Sequence, residues 1–169
     1  VTQEKILIRY LEDAEAAERN FEDTLATFAK AGEQGEVQKL FSAASARAKT
    51  QHERLEARLR ALGGSPSTAK SMLAHFLALT PAVAQLGQEP AEKNTQNLIM
   101  VIAAAAAEMA MYEALATVAA GTGDVETERL ARQLQSEEND DYEKCWAVLR
   151  QSATSAFNTT VRRSAGAST

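Results

Sequence analysis

The sequence predicts an all-α domain, a bundle of four long helices joined by two short turns and one long crossover. Three observations carry this. Ala, Glu and Leu are the commonest residues, all strong helix formers, and strand-length runs of β-branched or aromatic residues are missing. Only three prolines and eight glycines punctuate 169 residues. Apolar residues recur at steps of three and four over segments far longer than a strand.

Helix 1 runs from about Gln3 to Ala31 and stops at the turn Gly32–Gly35, where glycine supplies the C-terminal cap conformation. Helix 2 runs from about Glu36 to Leu62 and ends at Gly63-Gly64-Ser65-Pro66. Residues Ser67 to Glu89 form a long connection with its own apolar segment, Met72 to Leu77, which suits a short helix. Helix 3 covers roughly Pro90 to Ala120, with Pro90 suited to its first turn. The turn Gly121-Thr122-Gly123-Asp124 ends it, and Asp124 caps a fourth helix reaching about Ser155. The bundle is thus expected over residues 1–155. The Ser, Thr and Ala-rich stretch 156–169 is expected to be a flexible or loosely packed tail. Short turns make helices 1 and 2, and helices 3 and 4, antiparallel neighbours. The long crossover lets helix 3 restart from the far end.

Composition excludes several classes. The net charge of −5 is mixed along the chain, so no nucleic-acid-binding stripe is present. The single cysteine, Cys145, excludes an internal disulfide framework and suits a reducing compartment. The apolar run Leu98 to Ala107 is too short to span a bilayer, and a secretory signal ahead of helix 1 is not expected. A cytoplasmic protein without membrane or nucleic-acid partners is the expectation. Phosphate-binding glycine loops, zinc motifs and nucleophilic triads are also missing, so no catalytic residue is assigned. The run Ala103 to Ala107 permits close helix approach, within the bundle or in a homodimer.

Acids interrupt the apolar stripes. Helix 1 reads Leu7, Leu11, Ala14, Glu18, Phe21, Leu25, Phe28, so Glu18 stands where a leucine is expected. Helix 3 reads Val101, Ala104, Glu108, Tyr112, Leu115, Ala119. Helix 4 reads Leu130, Leu134, Glu137, Asp141, Cys145, Val148. That phase puts Glu137 on the inner stripe, and a slip of one residue would put Glu138 there. Asp140 and Asp141 follow one turn on. Mid-helix positions of a bundle meet at one level, and buried carboxylates persist there only when protonated, paired with cations or holding a metal.

Carboxylate-bridged di-iron bundles take a glutamate from each of two helices and a Glu-x-x-His motif from each of the other two. The chain also resembles, more specifically, the bacterial stress-associated YciE/YciF-type ferritin-like family. The resemblance covers most of Leu11 to Leu149. It is carried by Leu11-Glu12-Asp13 leading to Ala17-Glu18, by Leu25 to Ala31, and by Phe41 with Arg54-Leu55-Glu56 before Leu62-Gly63. Leu98-Ile99 with the alanine run into Glu108, and Glu137 with Asp141, complete it. It implies a ferritin-like fold, a stress-associated role, and metal ligands at Glu18, Glu108, Glu137 and Asp141. All-oxygen ligation of this kind suits Fe or Mn, or Mg.

The departures are as informative. The family's helix-2 glutamate falls at Arg47, the next turn offers Gln51, and Met109 follows Glu108 where the family tends to have histidine. An Arg47 guanidinium pointing inward would neutralise two carboxylates by forked hydrogen bonds. That gives the alternative: a metal-free structural or interaction bundle with no cofactor. His52 is expected on an exposed face and His75 within the crossover's apolar segment. Cys145 is expected as core filling rather than a nucleophile. Tyr112 is expected to be buried with its hydroxyl satisfied, and a carboxylate across the bundle is within its reach.

Overall fold

The computed structural model describes residues 2–31, 35–66 and 90–166. These contain four helices: α1 (Gln3–Lys30), α2 (Glu36–Ala61), α3 (Pro90–Thr122) and α4 (Val125–Gly166). The crossover with its expected short helix and His75 lies outside the described residues.

Local chemistry sets the helix ends. The Thr2 hydroxyl accepts the Lys5 N–H at 3.4 Å to open α1. Past α2, Gly63 adopts φ +76°, its N–H reaching the Arg60 carbonyl and the Gly64 N–H reaching the Leu59 carbonyl, both at 3.0 Å. Gly123, also at +76°, closes α3 through the same pair of bonds, onto Ala120 and Ala119. Asp124 then caps α4, accepting the Thr127 N–H at 2.9 Å. Arg58 of α2 grips that cap with bonds of 2.7 and 2.8 Å, tying the end of α2 to the start of α4.

Two apolar clusters fill the interior. One gathers Phe21 and Leu25 of α1, Phe41 and Ala44 of α2, Leu98 and Val101 of α3, and Cys145 of α4. The other gathers Leu7 and Leu11, Leu55 and Leu59, Leu115 and Ala119, and Ala131 and Leu134. The start of α3 therefore sits at the same end as the start of α2. The chain must traverse the bundle between them, which is the ferritin-like connectivity.

Two differences from the sequence expectation have physical reasons. Helix α4 continues through Gly166 instead of ending near Ser155. Ala156 is buried there, Thr154 and Ser164 return their hydroxyls to carbonyls four residues back, and Ser152 meets Thr95 of α3 at 2.8 Å. Hydroxyl-rich composition reads as fraying only when these partners are out of view. The stretch Glu92–Thr122 of α3 is long and apolar enough to cross a membrane by length and composition, more than the run Leu98 to Ala107 indicated. It serves as the core helix: Leu98, Val101, Ala104, Tyr112 and Leu115 are buried inside the bundle.

Candidate metal centre

Between the two apolar clusters lies a polar layer with one side chain from each helix: Glu18, Gln51, Glu108 and Glu138, each at most 1% exposed. Each arises from its helix's own stripe. On α1, Glu18 follows Leu7, Leu11 and Ala14, and on α3 Glu108 follows Val101 and Ala104, as the spacing predicts. On α2 the buried stripe runs Phe41, Ala44, Ala48, Gln51, Leu55, Leu59. On α4 it runs Thr127, Ala131, Leu134, Glu138, Asp141, Cys145.

That last stripe corrects the expectation for Glu137. The inward acid is Glu138, and Glu137 turns to the α2 side. There Arg54 holds both its oxygens, at 2.8 and 2.9 Å, and the Gln51 amide donates to it at 3.2 Å. Thr127 and Ala131, both buried, mark the phase of the stripe. They are small and carry little hydrophobic signal, so the bulkier Leu130 favours Glu137 over Glu138, while Leu134, Asp141 and Cys145 are buried as the spacing predicts.

Glu18, Glu108 and Glu138 each bring a carboxylate oxygen within 4.8 Å of the other two. Glu18 Oε1, both oxygens of Glu108, and Glu138 Oε2 are buried with no donor group on them, as is Gln51 Oε1, and Glu108 and Glu138 lie close enough for one proton to bridge them. Among the described residues, the Tyr112 hydroxyl of α3 is the one donor to Glu18, bonding its Oε2. Tyr112 is thus both fully buried and satisfied by a carboxylate across the bundle.

Electrostatics follow from this geometry. Burial, then the neighbouring Glu138 charge, pushes Glu18 well above the usual carboxylate range, with the Tyr112 bond opposing. Burial and the charges of Glu18 and Glu138 do the same to Glu108. Glu138 is pushed up to about 8 by burial and by Asp141, despite relief from Gln51, Glu108 and Arg47. Three carboxylates in one dry layer cannot all stay charged without a positive partner.

Asp141, one turn beyond Glu138, stands outside the triad. Arg47 forks onto it, Nε to Oδ2 at 2.7 Å and Nη2 to Oδ1, and the Lys144 ammonium lies 3.5 Å away. Arg47 therefore bonds a single carboxylate, the buried Asp141, while its own side chain stays 37% exposed. The orphaned oxygens of the triad stay unserved. Asp140 is exposed, as a solvated acid. Cys145 is buried, its thiol pushed up to about 11 by burial and by Asp141, which makes it a poor nucleophile.

His52 departs from its expected exposed face. Its Nε2 lies 3.0 Å from Glu15 and its Nδ1 3.3 Å from Glu22, so it links α2 to α1. Glu15, fully buried and also held by Arg19 at 3.0 Å, escaped the sequence reading altogether. It sits beside the stripe, not on it. Residues Ala14 to Glu18 are all buried, because small alanines let neighbours close in over a wider arc.

The donor set fits a metal ion. Its orphaned atoms are all oxygens, suited to a hard or borderline cation. Relative to paired Glu-x-x-His motifs, α2 offers Gln51-x-x-Arg54 and α4 offers Glu138-x-x-Asp141. Histidine is missing from both, and a neutral amide replaces one carboxylate.

Solved structures share this architecture. A Xanthomonas campestris pv. campestris protein, XCC3681, is similar with a TM-score of 0.79 at 20% identity, over 95% of this chain and 99% of that one. The E. coli stress protein YciF matches with a TM-score of 0.79 at 20% identity, over 90% and 98%. Ferritin-like, diiron-carboxylate proteins from Bacillus anthracis match at 0.69 and 16%, over 88% and 99%. At these identities the likeness establishes the ferritin-like four-helix fold. No curated protein matches the sequence. A family model, described as "Domain of unknown function (DUF892)", matches residues 2–158, and the chain belongs to that family.

Proposed function

We propose that the chain is a stress-associated ferritin-like protein whose Glu18–Glu108–Glu138 triad holds a divalent cation, iron or manganese. The observation that carries this is the set of buried triad oxygens with no donor group, in a layer walled by apolar side chains. Glu18, Glu108 and Glu138 would hold the ion, and Gln51 Oε1 would add a neutral oxygen. A redox-active ion there would supply one-electron chemistry. Tyr112 would fix the orientation of Glu18, and the two apolar clusters would exclude water. The stress association comes from the likeness to the E. coli stress protein YciF and the carboxylate site from the likeness to the diiron-carboxylate proteins of Bacillus anthracis.

The metal-free bundle is the competing reading. The raised acids favour it in one respect, since a protonated triad needs no ion. Arg47 performs part of the neutralisation that reading requires: its fork ends on the buried Asp141 and its charge relieves Glu138, but it makes no bond to the triad. Glu108→Gln separates the two. With Mn(II) in excess over chelator-treated protein, the wild type is expected to gain several degrees in Tm, and Glu108→Gln to gain none. Equal gains, or none in the wild type, would refute cation binding by the triad. Homodimerisation remains a proposal, supported by Trp146 (56% exposed) and Phe157 (67%) on α4. Light scattering on the wild type and on Trp146→Glu tests it.

A further inference from the structure

The seam between α2 and α4 carries a row of ion pairs. It is bridged by arginines of α2 that meet acids of α4: Arg47 with Asp141, Arg54 with Glu137, and Arg58 with Asp124 and Glu126. Arg47, Gln51, Arg54 and Arg58 follow one another at steps of four, three and four, so they form one face of α2. Gln51 is the member of this row that reaches the buried layer. Its neighbours in the row, Arg47 and Arg54, hold the acids on either side of Glu138.

Charge is therefore distributed unevenly. The flanking acids Glu137 and Asp141 each have a guanidinium, whereas the three acids of the centre make no salt bridge among the described residues. Asp141 is only 6% exposed at its side chain and lies three residues from Glu138, on the same face of α4. Left alone, it would be a second strongly anionic position beside Glu138. The Arg47 fork satisfies it with fixed positive charge.

We infer that the Arg47 guanidinium occupies, on Asp141, the place of a second cation, so that this bundle takes one ion rather than two. Removing the guanidinium creates a second cation position on Asp141 and Glu138. This deepens the reading of the triad as a cation site and rests on it. The physical reason is exclusion by charge. A divalent ion at Asp141 must displace a bidentate, buried-end ion pair and leave the guanidinium unpaired, whereas an ion at the triad displaces no ion pair. Arg47 sets stoichiometry without touching the first ion.

Mn(II) titration of the full chain, followed by electron paramagnetic resonance and by equilibrium dialysis, tests this. The wild type and Arg47→Lys, which keeps a positive charge, are expected to bind one ion per chain with the signal of an isolated Mn(II). Arg47→Met, which keeps the apolar stem, is expected to bind two, with the broadened signal of a coupled pair. Adding Asp141→Asn to Arg47→Met is expected to return the count to one. Circular dichroism checks the fold, and Arg47→Gln replaces Arg47→Met if that variant unfolds. Two ions in the wild type overturn the inference without reference to any variant. One ion in both the wild type and the folded neutral variants overturns it too, and leaves the triad reading intact. No ion in any of them overturns the triad reading and this inference with it.

Discussion

The Tyr112 hydroxyl donates a hydrogen bond to Glu18 from α3 to α1, inside a layer where the carboxylate has no other donor among the described residues. The bond holds one triad acid in a fixed orientation and lowers its proton affinity against the upward push of burial. Tyr112→Phe keeps the ring and removes the donor. The variant is expected to lose about 1–3 kcal/mol of stability, the usual cost of leaving a buried polar group unmet. Chemical denaturation at pH 8 measures it. A change below about 0.5 kcal/mol would mean the bond does not hold Glu18 in solution.

The raised triad acids fix the sign of the pH dependence. Glu138 rises from an ordinary value of 4.5 to about 8 in the folded chain. Between those values the folded state keeps a proton that the unfolded state has released. The contribution is thus fully present below about 4.5, is lost as pH rises toward 8, and levels off beyond. Glu18 and Glu108 act in the same direction. Asp124 is lowered overall: burial raises it, but the Thr127 N–H and Arg58 outweigh that. Its contribution is lost only in acid, well below this window. Melting in chelator is expected to give a lower Tm at pH 9 than at pH 6, at about 2–4 °C for each kcal/mol lost. A flat or rising profile would show that the triad is already paired.

His52 joins Glu15 and Glu22 of α1 from α2. His52→Ala removes the histidine contact from a fully buried carboxylate, at a cost of about 1–3 kcal/mol. Metal stoichiometry is expected to stay unchanged, because Glu15 does not belong to the triad. Paired denaturation and metal-binding measurements check both halves. A variant that loses metal while keeping its stability would place His52 in the metal site instead.

Much of this was legible in the sequence where one residue per turn carried the signal. Leu7, Leu11, Ala14, Glu18 on α1 and Val101, Ala104, Glu108, Tyr112 on α3 interleave large apolar residues with a lone acid, so phase and acid are read together. On α4 the adjacent pair Glu137 and Glu138 offers two phases. Small residues at Thr127 and Ala131 do not decide between them by hydrophobicity, so only packing does. On α2 the misplaced residue was Arg47. Its long stem lets it lie half-buried at the edge of the stripe while its head reaches Asp141, and Ala48 and Gln51 occupy the true inward positions. Glu15 and His52 pair across two helices at positions beside the stripes, where helical periodicity carries no information.

The choice between Glu137 and Glu138 tests the central claim most directly. Mn(II) binding by equilibrium dialysis should be compared for Glu137→Ala and Glu138→Ala, with folding of each verified by circular dichroism. Glu137 lies at the rim on Arg54, whereas Glu138 completes the triad. The structure predicts that Glu138→Ala weakens binding at least about tenfold, a loss of ~1.4 kcal/mol, while Glu137→Ala keeps it within about threefold. Equal affinity in the two variants, or a loss confined to Glu137→Ala, would contradict a metal centre built on Glu18, Glu108 and Glu138.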